Sequence, residues 1–200
     1  MIAQHFADLK RLGVRTITTA QAAATWKVSA PAASQMLGRL ATTGLIESLR
    51  HGVWLLDRDA TPESLVAEIT SPYPAYVSHV SALYSHGIID QVPAEIHVVS
   101  AAKPRVLKSS RGSFRLHKMP SALFGGYSEV RGVNLATPEK ALFDWAYLSV
   151  VSGSVNARLP ETEWPTSFRR SQVDVWVKKI PSPRLQTLTK ALIDRRLGSS

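Results

Sequence analysis

Hydrophobic and polar positions alternate with two different rhythms near the start of the chain. Between residues 18 and 43 small and apolar residues recur every three or four positions, the repeat of a helix face, and between 44 and 56 the pattern tightens to that of short strands. Thr18 and Gln21 have capping-box spacing, which predicts a helix start, and alanines 22–24 let a second helix pack close. Ser29 is placed to cap that second helix. In it Ala33, Met36, Leu37 and Leu40 form one buried stripe, while Gln35, Arg39 and Thr42 fall on or near the other side. Gly44 accepts left-handed backbone and ends the helix. Residues 45–49 and 53–56 then predict two strands around Arg50-His51-Gly52, a hairpin with a basic tip. A capped helix pair with such a hairpin behind it predicts a winged helix-turn-helix, the hairpin being the wing. The same shapes also serve as packing or protein-docking modules, but the basic tip and the Gly-Leu-Ile exit favour nucleic acid.

Residues 1–8 predict the first helix of the same domain. A boundary is expected at 57–60, dividing the chain into 1–60 and 61–200, because Thr61-Pro62-Glu63 begins a new helix by the cap-then-proline rule. Beyond it the pattern predicts a helix over 76–88, a strand over 95–99, a hairpin from 105–107 and 114–117, and a strand over 130–135. Thr137-Pro138 opens a helix that buries Ala141, Leu142, Trp145, Ala146 and Leu148 on one face, and Ser182-Pro183 opens the last one. Helices and strands mixed in this order predict an α+β protein.

Charge sharpens the functional expectation. The 200 residues carry a formal +9, which favours polyanionic partners or an acidic membrane surface. Residues 1–60 hold seven Lys/Arg against four Asp/Glu and residues 61–200 hold seventeen against eleven, so most of the excess lies in the second part. The absence of cysteine excludes disulfides and thiolate metal sites. The N-terminal residues lack the basic-then-apolar pattern of a signal peptide. The longest uncharged stretch, 70–89, contains two prolines and several serines and histidines, so no membrane span and a cytoplasmic protein are expected.

Three segments support a family resemblance. Tyr76-Val77-Ser78-His79-Val80-Ser81-Ala82-Leu83-Tyr84-Ser85-His86-Gly87-Ile88-Ile89-Asp90-Gln91-Val92-Pro93 is joined by Ile96-His97-Val98-Val99 and by Leu135-Ala136-Thr137-Pro138-Glu139-Lys140-Ala141-Leu142-Phe143-Asp144. With the N-terminal pattern over 2–56, these resemble AbiEi-type antitoxins, transcriptional regulators of type IV abortive-infection toxin–antitoxin systems. The resemblance covers most of the chain to about residue 150 and weakens beyond Ser152. It implies a winged helix-turn-helix followed by a mixed α/β antitoxin domain. It also implies repression of the protein's own operon through inverted operator repeats, and antagonism of a nucleotidyltransferase-like toxin without any need to bind it.

The residues then divide by expected role. Ala30, Pro31, Ser34 and Gln35, at the front of the recognition helix, are expected to approach bases, and Gln35 has the donor–acceptor pair that suits adenine. Arg39, Arg50 and His51 are expected at phosphates, with Thr42 on the same helix face. Lys103, Arg105, Lys108, Arg111, Arg115 and Lys118 occur with no Asp or Glu between Glu95 and Glu129. They read either as a solvated face or as a second surface for phosphates or RNA, alternation along a hairpin putting several on one side. Ser78, His79, Ser85 and His86 invite a hydrolase or metal reading, but capping and packing account for them more simply. Glu139, Lys140 and Asp144 carry the charges of a metal-dependent nuclease, whereas their spacing suits a surface ion pair and a helix-start charge. The expectation is thus a non-enzymatic, cofactor-free and metal-free DNA-binding repressor. A DNA-tethered nuclease or RNA-processing enzyme is the alternative.

Overall fold

Four helices begin where Thr18, Ser29, Thr137 and Ser182 cap them, whereas the helix expected to open at Thr61-Pro62-Glu63 does not: a 3-10 turn over Glu63–Leu65 stands there without a side-chain cap, and the α-helix starts only at Val66. In the computed structural model, which describes residues 2–198, the chain forms two units. One takes in the residues up to Ile69 together with Lys108–Gly112; the other comprises Thr70–Leu107 and the chain from Ser113 on. The division expected at 60/61 falls inside the first unit. Among the described residues there are eight α-helices and two sheets, an α+β architecture.

The first unit runs α1 (Ile2–Lys10), β1 (Thr16–Thr18), α2 (Thr19–Trp26), α3 (Ala30–Thr42), β2 (Glu47–Arg50), β3 (Val53–Leu55) and α4 (Val66–Thr70). Thr18 caps α2 through a complete capping box with Gln21, and Ser29 caps α3 by accepting from the Ala32 N–H. The strands form an antiparallel sheet in the order β1-β3-β2, β1 pairing Thr16 with Leu55 and Thr18 with Val53. Leu9, Ile17, Ala22, Leu37, Leu40, Ile46 and Leu56 make its core. Each large aliphatic buried there contributes about 1.5–3 kcal/mol.

The second sheet comprises β4 (Ala75–Val77), β5 (Ile96–Ser100), β6 (Arg105–Ser109), β7 (Gly112–Lys118), β8 (Tyr127–Val130) and β9 (Val133–Ala136), ordered β6-β7-β5-β4-β9-β8, and all of it but 108–112 belongs to the second unit. β5 lies parallel to β7 and β4 parallel to β9, while β4–β5 and β8–β9 are antiparallel. The helices of the second unit are α5 (His79–Ser85), α6 (Pro138–Val151), α7 (Arg170–Lys178) and α8 (Pro183–Leu197). α6 is the central one, packed against α5, α7 and α8 and buried without a break from Lys140 to Tyr147.

Two expectations are corrected here. Residues 76–88 do not form one helix: Tyr76 and Val77 are strand, paired with Val99 and Val98, and the helix begins only at His79. Residues 130–135 are not one strand but the inner part of the β8–β9 hairpin, turned by Arg131 at φ 51° and Gly132 at φ 78°.

Candidate nucleic-acid interface

The turn between α2 and α3 is held by backbone geometry rather than by side chains. Lys27 takes a left-handed conformation at φ 54°, and its N–H and that of Val28 return to carbonyls of α2. The β2–β3 hairpin is fastened to the start of α2: the Thr19 N–H donates to the Gly52 carbonyl at 3.0 Å, and Trp54 Nε1 donates to Thr19 Oγ1 at 3.1 Å. With its cap made, α3 turns Ala33, Leu37 and Leu40 inward. Met36, expected in the same stripe, is only half-buried.

Ala30, Pro31, Ser34, Gln35, Arg39 and Thr42 are all exposed, so the helix carries a continuous outward face at the spacing of its turns. The Thr42 hydroxyl is already donated to the Gly38 carbonyl at 3.0 Å. No hydrogen bond or ion pair of the Gln35 or Arg39 side chain occurs among the described residues. Gly38 lies between them, and a Cβ there would meet nothing within 4 Å. The face therefore mixes small apolar and polar side chains and carries one charge, Arg39.

The two hairpin-tip residues differ. His51 is exposed at the turn that Gly52 makes possible with φ 72°. Arg50 is not an open cation at the tip as expected: it is half-buried, and its Nε donates to the Glu68 carbonyl at 3.1 Å. Its pleat position turns it toward α4.

The run from 103 to 118 does not share one side. Arg105 and Lys108 are three apart on β6, and Arg115 and Lys118 are three apart on β7, so each pair points to opposite faces of its strand. Arg111 belongs to the first unit and donates through Nη2 to Glu47 Oε1 and to the Arg58 carbonyl, both at 2.8 Å. Arg115 pairs with Glu95 at 2.5 Å and holds that carboxyl below the usual range. Lys103, Arg105, Lys108 and Lys118 are exposed and have no ion pair among the described residues.

Two polar clusters in the second unit were not legible as clusters. Lys140 and Asp144, expected as a surface pair, have no exposed side-chain area and meet at 2.6 Å. Lys140 also donates to the Leu123 carbonyl at 2.6 Å and lies 4.3 Å over the Trp176 ring, while Asp144 accepts from Ser78 at 2.6 Å and Tyr76 at 3.1 Å. Burial pushes the Asp144 carboxyl up and the Lys140 amine down, against their mutual attraction. Glu139 accepts instead from the Arg169 N–H at 2.9 Å. A nuclease centre using Lys140 and Asp144 would have no path to substrate.

His79, the second surprise, pairs with His97 and His117 rather than with His86. The three rings stack with centroids 4.4–5.4 Å apart, and His97 Nδ1 and His117 Nε2 share a hydrogen bond at 3.0 Å. His86 is separate, its Nε2 2.7 Å from the Ala136 carbonyl. Near-parallel rings aim their lone pairs in parallel planes and do not converge on an ion. No group of three or more potential ligands suited to a metal occurs among the described residues. His97 and His117 come together only because parallel β5–β7 pairing sets His97 beside Arg115 and Val99 beside His117. None of the described helices is long and apolar enough to cross a membrane. In comparisons with known proteins, no family model and no curated protein matches this chain.

Proposed function

We propose that this chain is a DNA-binding transcriptional repressor whose first unit acts as a winged helix-turn-helix. The observation that carries the reading is the outward face of α3, where Gln35 and Arg39 stand exposed and unspent on a helix fixed by its own cap and core. A rigid helix with free polar groups on one face suits major-groove entry, with Gln35 at a base edge and Arg39 at a phosphate. Ala30, Pro31 and Ser34 line the approach, and His51 reaches the backbone from the wing. Lys103, Arg105, Lys108 and Lys118 add sequence-independent attraction for phosphates.

The resemblance over 76–99 and 135–144 supports assigning the second unit to an antitoxin of the AbiEi type, acting against a nucleotidyltransferase-like toxin from the cytoplasm. The DNA reading is tested by titrating operator DNA selected from the flanking genomic sequence. Gln35→Ala should cost about 1–3 kcal/mol and relax specificity at one position, whereas Arg39→Ala should weaken all sequences and reduce the salt slope by about one. Parent-like behaviour of both variants would refute it.

A further inference from the structure

In the second unit a cavity of about 320 Å³ opens between Val80 of α5, the loop over 89–94, the start of β5 and the segment that carries Arg158 and Pro160. Most of its wall is apolar, supplied by Val80, Ile89, Val92, Pro93 and Pro160. Val92 is 67 % exposed, the most open large hydrophobic side chain among the described residues, and it stands at this concavity. An apolar hollow with a few polar groups converging on it has the make-up of a small-molecule pocket.

The polar groups decide what charge it suits. Glu95 is already spent: Oε1 accepts from the Ser113 hydroxyl at 3.0 Å and Oε2 from Arg115 Nε at 2.5 Å. An amine in the cavity would therefore meet a carboxylate that has its cation. His97 shares Nδ1 with His117 and keeps only Nε2 for a ligand. Arg158 is exposed and makes no hydrogen bond or ion pair among the described residues, so the lining carries one uncompensated charge, and it is positive. A planar guanidinium presents a fixed fork of donors that matches the two oxygens of a carboxylate. A phosphomonoester, at about −1.5 to −2, would leave part of its charge unmatched against a single cation. A bare inorganic anion would leave the apolar wall unused.

We infer that this cavity binds a small monocarboxylic acid with an apolar body, its carboxylate forked by Arg158 beside His97 Nε2 and its body lying against Val80, Ile89 and Val92. The volume lies at the lower end for small-molecule pockets, about 300–1,000 Å³, which restricts the body to a single ring or a short branched chain. The inference does not depend on what α3 binds.

The test uses the full chain at constant ionic strength with phenylacetate and isovalerate as acids and with phenylacetamide, phenethylamine and acetate as controls, followed by calorimetry and thermal unfolding. At least one of the two acids should bind with one site per chain and raise the melting temperature, since a ligand that binds only the native state stabilises it. Phenylacetamide lacks the charge, acetate lacks the body and phenethylamine reverses the charge, so each should bind at least about tenfold more weakly than that acid. Arg158→Gln should weaken the acid about ten- to hundredfold and leave the ligand-free melting temperature unchanged, because the arginine bonds to nothing among the described residues. Ala94→Trp keeps the charge but fills the exposed mouth, and it should abolish binding. Absence of binding by both acids at millimolar concentration overturns the inference, as does undiminished binding by Arg158→Gln or by Ala94→Trp. Binding of the amide or the amine as tight as that of the acid overturns the charge assignment, and binding of acetate as tight reduces the cavity to a surface cation; each refutes the inference.

Discussion

Lys140 and Asp144 set the largest single-residue sensitivities. Removing the lysine head in Lys140→Met leaves a buried carboxylate with only hydroxyl donors, which should cost about 3–5 kcal/mol in urea unfolding. Replacing both, Lys140→Met with Asp144→Leu, should cost clearly less than either single change, because no uncompensated charge remains; additive losses would contradict this account. Gly126 borders the same cluster. At φ 72° a Cβ would lie 2.7 Å from Trp176 Cζ2 and 2.9 Å from Lys140 Cγ, so Gly126→Ala combines backbone strain with overlap. The histidine stack gives a pH signature. Burial and the neighbouring charge of Arg115 lower His97 and His117 to about 4, and burial holds His79 well below its usual range. Both states are neutral above the ordinary value of about 6.5, so the stack's contribution is complete there. As pH falls toward 4 the unfolded chain takes up protons that the native stack refuses, and stability drops by about 1.4 kcal/mol per pH unit for each such histidine. Urea midpoints measured between pH 7 and 5 should fall accordingly, and His117→Gln should flatten the slope.

At the scale of elements, caps and turns were the legible part. Thr18, Ser29, Thr137 and Ser182 each cap the helix their sequence context announces. Thr18→Ala should therefore cost about 0.5–2 kcal/mol. Gly38→Ala should raise thermal stability by about 0.5–1 kcal/mol, since the methyl enters open space in a helix interior; a lower melting temperature would mean that α3 is distorted there. What remained illegible was set by pairing between distant strands. Nothing local in 76–88 distinguishes the strand at Tyr76-Val77 from a helix start; its partners Val98 and Val99 make it one. The Lys140–Asp144 spacing is that of a surface pair, and only three neighbouring helices and Ser78 turn it inward. The candidate base-contacting face was readable because it depends on one helix's own period. The half-burial of Arg50 was not, because Glu68 of another element claims its Nε.

For the whole molecule, a fragment ending at Ile69 should be more stable than one ending at Ala60. The shorter piece loses Leu65, Val66 and Ile69 from the interior, together with the bonds from Arg15 to the Ser64 carbonyl and from Arg50 to the Glu68 carbonyl. On operator DNA the 1–69 fragment should show a shallower salt dependence than the full chain, because most of the positive excess lies after residue 60. Equal slopes would return Lys103, Arg105, Lys108 and Lys118 to ordinary solvated positions. In cells the full chain should rescue growth from a cognate nucleotidyltransferase-like toxin and the fragment should not; rescue by the fragment would remove the second unit from antitoxin action.

The grouping of Lys108–Gly112 with the first unit also bears on how the protein is born. A ribosome adds roughly 5–20 residues each second, so the partner that Arg111 supplies to Glu47 and to the Arg58 carbonyl leaves the exit tunnel about 2–8 s after Ile69. Through that interval Glu47 still waits for its cation. A pause in translation between those points would lengthen the exposure of that incomplete state, and a silent codon change there becomes a way to alter yield without altering a single amino acid.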